Sequence, residues 1–312
     1  MGDTGLETGG GVDTVDSGVT NFDTDSGLSM DTGDTGGEDY ALSSDEYLYI
    51  NGGGANHCGI DAGYEIQCWG SDSSDMVSDV PKGMFETLDS GGSHACAIAV
   101  GGEVECWGRS FEGQLRAPEG DTYTQVAAGA YHSCALDQDG YVSCWGASSE
   151  YYDEGQVSDA PEDGGYTYII AADLYSCALD SDGYPVCWGD DVFGVKDVIF
   201  EPFVAISGNY GTVCAVDDDG LLQCWGDGAD SLDTPENTFY QFNAGPGHFC
   251  GVDDSWGGIC WAGDADSAEM MPPDGVQFTM VSAGTYHTCG IRNEDQLVQC
   301  WGSDTYGQST PP

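Results

Sequence analysis

Seven copies of one cysteine pattern run through this 312-residue chain and leave little freedom in what it can fold into. Cys-Trp occurs at Cys68-Trp69, Cys106-Trp107, Cys144-Trp145, Cys187-Trp188, Cys224-Trp225, Cys260-Trp261 and Cys300-Trp301. Six copies continue into Gly and one into Ala262. A second cysteine precedes each pair, ten residues earlier at Cys58, Cys96, Cys134, Cys177, Cys214 and Cys250, and eleven earlier at Cys289. All fourteen cysteines fall into this scheme, and the first of each pair returns every 36 to 43 residues. A period of that length fits propeller blades better than leucine-rich or helical repeats.

One unit shows why the repeat is β-structure. Thr124 to Ala128 is a short β-type run closed by Gly129, and His132 to Leu136 is a second. Asp137-Gln138-Asp139-Gly140 is a turn whose Gly takes the left-handed conformation a tight hairpin needs, and Tyr141 to Trp145 returns. Pairing about that turn sets Cys134 opposite Cys144, close enough for a cross-strand disulfide. A Pro closes most units (Pro81, Pro118, Pro161, Pro235, Pro272, Pro311), as suits an outer edge strand with no N–H to offer. The prediction is all-β: a seven-bladed β-propeller over residues 44–312, with four-stranded blades and one disulfide per blade.

Residues 1–43 differ. They are Gly, Asp, Thr and Ser with scattered apolar residues, a composition that cannot bury enough surface to offset its ordering entropy. They read as an acidic low-complexity arm or linker, with docking on a neighbouring subunit as the alternative. Met1 is followed by neither a basic nor an apolar stretch, so an export signal is expected to have been removed already. So many paired cysteines call for an oxidising compartment, and the expected location is extracellular or at a cell surface. No apolar run reaches the ~18 residues of a membrane span.

The pattern Gly-x-x-His-x-Cys-Ala-Leu-x-x-Asp-Gly-x-Val-x-Cys-Trp-Gly, as in Gly129 to Gly146, resembles the regulator of chromosome condensation repeat. Its paired-cysteine form is similar to that of secreted bacterial members. The resemblance implies a seven-bladed propeller serving as a protein-binding platform. Eukaryotic members act on a small GTPase and on chromatin, but this sequence lacks the basic surface for that. Gly113-Gln114-Leu115-x-x-Pro118 and Gly307-Gln308-x-x-Pro311 are also similar to propeller-type inhibitor proteins of β-lactamases, which implies that such a disc can cap an enzyme.

Charge narrows the partners. Fifty-five acids against five bases give a net charge of −50, which excludes ordinary nucleic-acid binding, because that affinity comes from Lys and Arg displacing counterions. The motifs of serine hydrolases, P-loops, dinucleotide-binding folds and zinc proteases are missing, so no enzyme and no cofactor are expected. The five histidines precede first cysteines and read as structural hydrogen-bonders to turns. The tryptophans after cysteine read as blade packing.

The hairpin turns gather acids on one face. They read as turn chemistry and solubility, the alternative being a calcium or basic-partner site at Asp137, Asp139, Asp180 and Asp182. The loops after Cys-Trp, on the other face, vary in length and carry Phe111, Tyr151, Tyr152, Phe193 and Tyr306. Recognition tends to sit on such loops over a rigid scaffold, and aromatics are enriched in interfaces. The expected function is therefore an exported, non-catalytic module binding a protein or glycan at a bacterial cell surface. A structural subunit whose arm joins a neighbour in a homo-oligomer, and an inhibitor capping an extracellular hydrolase, are the alternatives.

Overall fold

The structure, a computed structural model, describes residues 46–120, 122–147, 149, 152–261 and 268–312. The acidic arm and Tyr151 lie outside the described residues. Among the described residues, twenty-one strands form seven sheets of three, each sheet contiguous in sequence. Blade 1 holds β1 (Tyr47–Gly52), β2 (Asn56–Asp61) and β3 (Ile66–Gly70). Blade 2 holds β4 (Phe85–Ser90), β5 (His94–Ala99) and β6 (Val104–Gly108). Blade 3 holds β7 (Tyr123–Ala128), β8 (His132–Asp137) and β9 (Val142–Gly146). Blade 4 holds β10 (Tyr166–Ala171), β11 (Tyr175–Asp180) and β12 (Pro185–Gly189). Blade 5 holds β13 (Ala205–Gly208), β14 (Thr212–Val216) and β15 (Leu222–Gly226). Blade 6 holds β16 (Phe239–Ala244), β17 (Phe249–Asp253) and β18 (Gly258–Trp261). Blade 7 holds β19 (Phe278–Ala283), β20 (His287–Arg292) and β21 (Val298–Gly302).

The hairpin register is the one that the cysteine spacing requires. Cys58 faces Cys68 and Cys134 faces Cys144 across antiparallel pairs. All seven disulfides close within a blade: 58–68, 96–106, 134–144, 177–187, 214–224, 250–260 and 289–300. No free cysteine remains.

The expected fourth strand is corrected. Each described sheet stops at three strands, and the Pro-containing slot is a turn segment instead. Its Asp residues bind their own turns: Asp72 Oδ1 accepts the Val77 and Ser78 N–H groups, and Asp304 Oδ1 that of Ser309. Those two N–H bonds also hold the Asp72 carboxyl below the usual range. The segment joins the next blade through one carbonyl rather than a ladder. Trp107 Nε1 donates to Met76 O, Trp145 to Gln114 O, Trp188 to Gln156 O, Trp225 to Val195 O, and Trp301 to Glu269 O. In blade 1, Trp69 donates to Gln308 O of blade 7, closing the ring. The Gly-Gln motifs are therefore fixed in structure. Gln114, Gln156 and Gln308 are buried, and each takes an N–H from its own loop.

The core lies between blades. Trp145 packs with Tyr123, Val126 and Ala135 of its own blade and with Cys96 and Ile98 of the preceding one. Six inner strands carry a bulge near their start, as between Tyr47 and Tyr49. One extra residue turns two positions that would share a face to opposite faces. Tyr47, Phe85, Tyr123 and Phe278 thus enter the inter-blade core, while Tyr49, Thr87 and Gln125 line a central channel.

Candidate functional site

Two different surfaces emerge from the repeat. Each hairpin turn bonds to the entry of the next inner strand, as Tyr166 N–H donates to Gly140 O. The Gly-x-x-His turns bond instead to the loops after Cys-Trp: Arg109 N–H to Ser93 O, Ala147 N–H to Tyr131 O, and Ser303 N–H to Tyr286 O. The latter contacts assemble a loop face that joins two sets of variable residues.

On that face Phe111 is 80% and Tyr306 61% exposed. Tyr152 is half-buried and stacks on Tyr131 with ring centroids 4.2 Å apart. The Arg109 guanidinium lies 5.0 Å from the Phe111 ring centre and 5.8 Å from that of Tyr131. Phe111 and Tyr152 are thereby drawn into one cluster. Phe193 is half-buried on the core of blades 4 and 5 and tilts against Tyr210 at 5.1 Å. Tyr131, Tyr210 and Tyr286 escaped the sequence reading. Tyr131 and Tyr286 directly precede the His slot and Tyr210 stands two residues before the matching Thr212, in a turn that sequence treats as scaffold, and the signal was an aromatic where most units carry a small or polar residue.

The acidic turns are engaged locally. Asp137 Oδ1 accepts the N–H groups of Asp139 and Tyr141, and Asp180 Oδ1 those of Asp182 and Tyr184. Asp61, Asp217 and Asp253 repeat the arrangement. Asp139 and Asp182 are exposed. Two clusters bring potential metal donors together, His57 with His287 and Cys289, and His248 with Cys250 and Cys260. Their sulfurs are in disulfides and supply no thiolate.

The histidines bond across blades, which corrects the expected bond to a turn. His94 Nε2 lies 2.8 Å from Ser133 Oγ, His132 Nε2 2.7 Å from Ser176 Oγ, and His248 Nε2 2.6 Å from Thr288 Oγ1. His287 Nε2 lies 3.1 Å from His57 Nδ1, so His57 stands in the position that Ser and Thr fill elsewhere. Burial opposes the imidazolium throughout. It pushes His94, His248 and His287 down to about 4 and His132 to about 3. His57 lies well below its usual range, through burial and then the facing His287.

The channel is a cavity of about 430 Å³ lined by inner strands and by loops of the loop face. One slot of each inner strand faces the first cysteine: Asn51, Asp89, Ala127, Ile170, Ser207, Asn243 and Ser282. Its polar members bond to the next blade, forming a belt. Ser90 N–H donates to Asn51 Oδ1, Ala128 N–H to Asp89 Oδ2 at 2.7 Å, Ala244 N–H to Ser207 Oγ, and Gly52 N–H to Ser282 Oγ. Asp89 is the belt's one acid, and burial pushes its carboxyl up to about 6. That charge, after burial itself, holds the Tyr49 phenol up and raises Tyr168 to about 12.

Comparison with known proteins supports the repeat. The regulator of chromosome condensation (RCC1) repeat matches residues 123–152 and 279–308. Among solved structures, the CRINKLY WD40 ectodomain of the Arabidopsis thaliana receptor kinase ACR4 is 26% identical, with TM-score 0.72, over 85% of this chain and 96% of that one. The ectodomain of the Physcomitrella patens receptor kinase CR4 is 27% identical, with TM-score 0.69, over 81% and 72%. Yeast RCC1 (Prp20), bound to Kap60, is 17% identical, with TM-score 0.52, over 85% and 72%, a likeness of fold. No curated protein sequence matches the chain. The expected resemblance to the chromosome condensation repeat therefore holds in two of the seven units, and the fold is similar.

Proposed function

We propose that this chain is an exported, non-catalytic recognition module that holds a protein or glycan ligand on its loop face, in the surroundings of a bacterial cell surface. The observation that carries this reading is the Arg109–Phe111–Tyr131–Tyr152 cluster, built where the repeat is broken and left open to solvent at Phe111. Aromatic and Arg side chains are the residue types that most often anchor interfaces. The receptor-kinase ectodomains show the same propeller on the outside of a cell, and one disulfide per blade suits an oxidising medium.

The test is paired. Immobilised protein captures its ligand from native surroundings, and affinity is then measured for Phe111→Ala with Tyr306→Ala. The expected loss is on the order of 2 kcal/mol with thermal stability nearly unchanged, because both rings lie outside the core. The matched variant changes Asp137, Asp139, Asp180 and Asp182 to Asn. Loss of capture with this set, and none with the aromatic pair, would move the site to the acidic face and to a calcium or basic-partner chemistry.

A further inference from the structure

We propose that the central channel is a binding site for a small organic ammonium ion, with Asp89 as its counter-charge and the Tyr49 and Tyr168 rings as its aromatic walls. The argument starts from the belt. Asn51, Ser207, Asn243 and Ser282 tie one blade to the next with neutral groups. Asp89 makes the same bond to Ala128 N–H with an acid. A wall bond alone does not require that charge, and burying it carries a desolvation cost that the carboxyl's raised titration records.

The chain has no cation to offset the cost. Its five bases are Lys82, Arg109, Arg116, Lys196 and Arg292, and none of them lines the cavity. The ion pairs among the described residues belong to Arg292, with Glu294 and Asp295. The counter-ion must then come from outside. The net charge of −50 draws cations toward the cavity, which Asp173 also lines.

The other walls say what kind of cation. Tyr49 and Tyr168 stand near enough to Asp89 for its charge to oppose their ionisation, and phenol faces attract an ammonium. Val126, Ile206 and Phe242 line the same space and would hold an apolar stem. A volume of about 430 Å³ suits a small molecule with both parts, since binding pockets combine apolar walls with a few placed polar groups. A bare metal ion would leave those apolar walls unused.

This site does not rest on the loop-face reading, and its test is separate. The full chain is titrated calorimetrically with phenethylamine and with neutral phenylethanol at about pH 8, where the carboxylate and the amine are both charged. The expected result is saturable binding of the amine to the native chain. Asp89→Asn keeps an acceptor for Ala128 N–H and should weaken amine binding at least about thirtyfold, leaving phenylethanol unaffected. Asp89→Ser copies blades 5 and 7 and should behave alike. Ile170→Trp, placed at one of the two belt positions that make no side-chain bond, should fill the channel and abolish binding of the amine. Absence of saturable amine binding by the native chain overturns the proposal. So does binding that survives both Asp89 substitutions, or that survives Ile170→Trp.

Discussion

The buried histidines form a rule that is written across units rather than within one. His94, His132, His248 and His287 stand two residues before a first cysteine, and the following unit answers with Ser133, Ser176, Thr288 or His57 one residue before its own. The other three residues in the donor slot are Asn56, Tyr175 and Thr212, and they face units with Ala95, Val213 and Phe249 there. Tyr175 reaches past Val213 to backbone oxygens of Asn209 and Thr212. Gly129 serves the same device, since a Cβ there would meet the His132 ring at 2.5 Å and Ala172 O at 2.2 Å. The pairing has a pH consequence. These histidines titrate lower in the folded chain than the ordinary value near 6.5, so the unfolded chain binds more protons. Stability is therefore full above about pH 6.5 and is lost as pH falls toward about 4. Asp89 opposes this, because its folded carboxyl binds a proton near 6 instead of 3.8, and Asp173, raised by burial and then by Asp190, acts in the same sense, but they are two groups against five. Urea midpoints in high salt should fall from pH 7 to pH 5, and His132→Gln should flatten the slope. A midpoint that rises over this window, or an unchanged slope in the variant, contradicts the account.

At the scale of the element, the unit is a three-stranded hairpin stapled between its second and third strands. Each staple closes a short loop, so replacing Cys96 and Cys106 together by Ala should cost roughly 2–3 kcal/mol in the chain-entropy picture, with the fold retained. Chemical denaturation measures that cost, and peptide mapping without reductant should show links only within units. A loss below ~0.5 kcal/mol would mean that the inter-blade core alone sets stability. Strands two and three were legible because alternation, an Asp-Gly turn and paired cysteines all specify one register. The outer segment was not. Proline suits both an edge strand and a turn, and here Asp72 and Asp304 capture their own backbone and settle it as a turn. The channel was the least legible part. The slot facing the first cysteine reads Asn, Asp, Ala, Ile, Ser, Asn, Ser down the chain, with no chemistry in common; five of the seven line the channel, and Asp89 is one acid among fifty-five until the ring is closed. Of the loop aromatics, Phe111 and Tyr306 stood out because they break the repeat. The partial burial of Phe193 and Tyr152 followed only from their neighbours Tyr210 and Tyr131.

The whole molecule closes without a shared ladder, through side chains and two backbone bonds, Tyr47 N–H to Gln296 O and Thr285 N–H to Gly54 O. Among the described residues, blade 1 and blade 7 are each drawn from their own stretch of sequence, and no strand is exchanged between them. The side-chain contacts between them are of kinds found between other blades: Trp69 Nε1 to Gln308 O, Gly52 N–H to Ser282 Oγ, and His57 against His287. This closure must hold against the charge. With fifty-five acids and five bases, repulsion acts on every blade at once and favours any opening of the ring. Screening weakens it, the Debye length falling from about 30 Å at ~0.01 M to about 3 Å at ~1 M salt. The thermal midpoint should therefore rise steadily with sodium chloride across that range. Changing exposed Asp139 and Asp182 to Asn should raise the midpoint at low salt and leave it nearly unchanged at high salt, since these side chains lie outside the core. The contribution is electrostatic and long-range, so the same gain should come from any pair of exposed acids, whichever blade carries them. A midpoint indifferent to salt would show that the seven staples and the inter-blade core hold the ring with so much to spare that the charge does not bear on its stability.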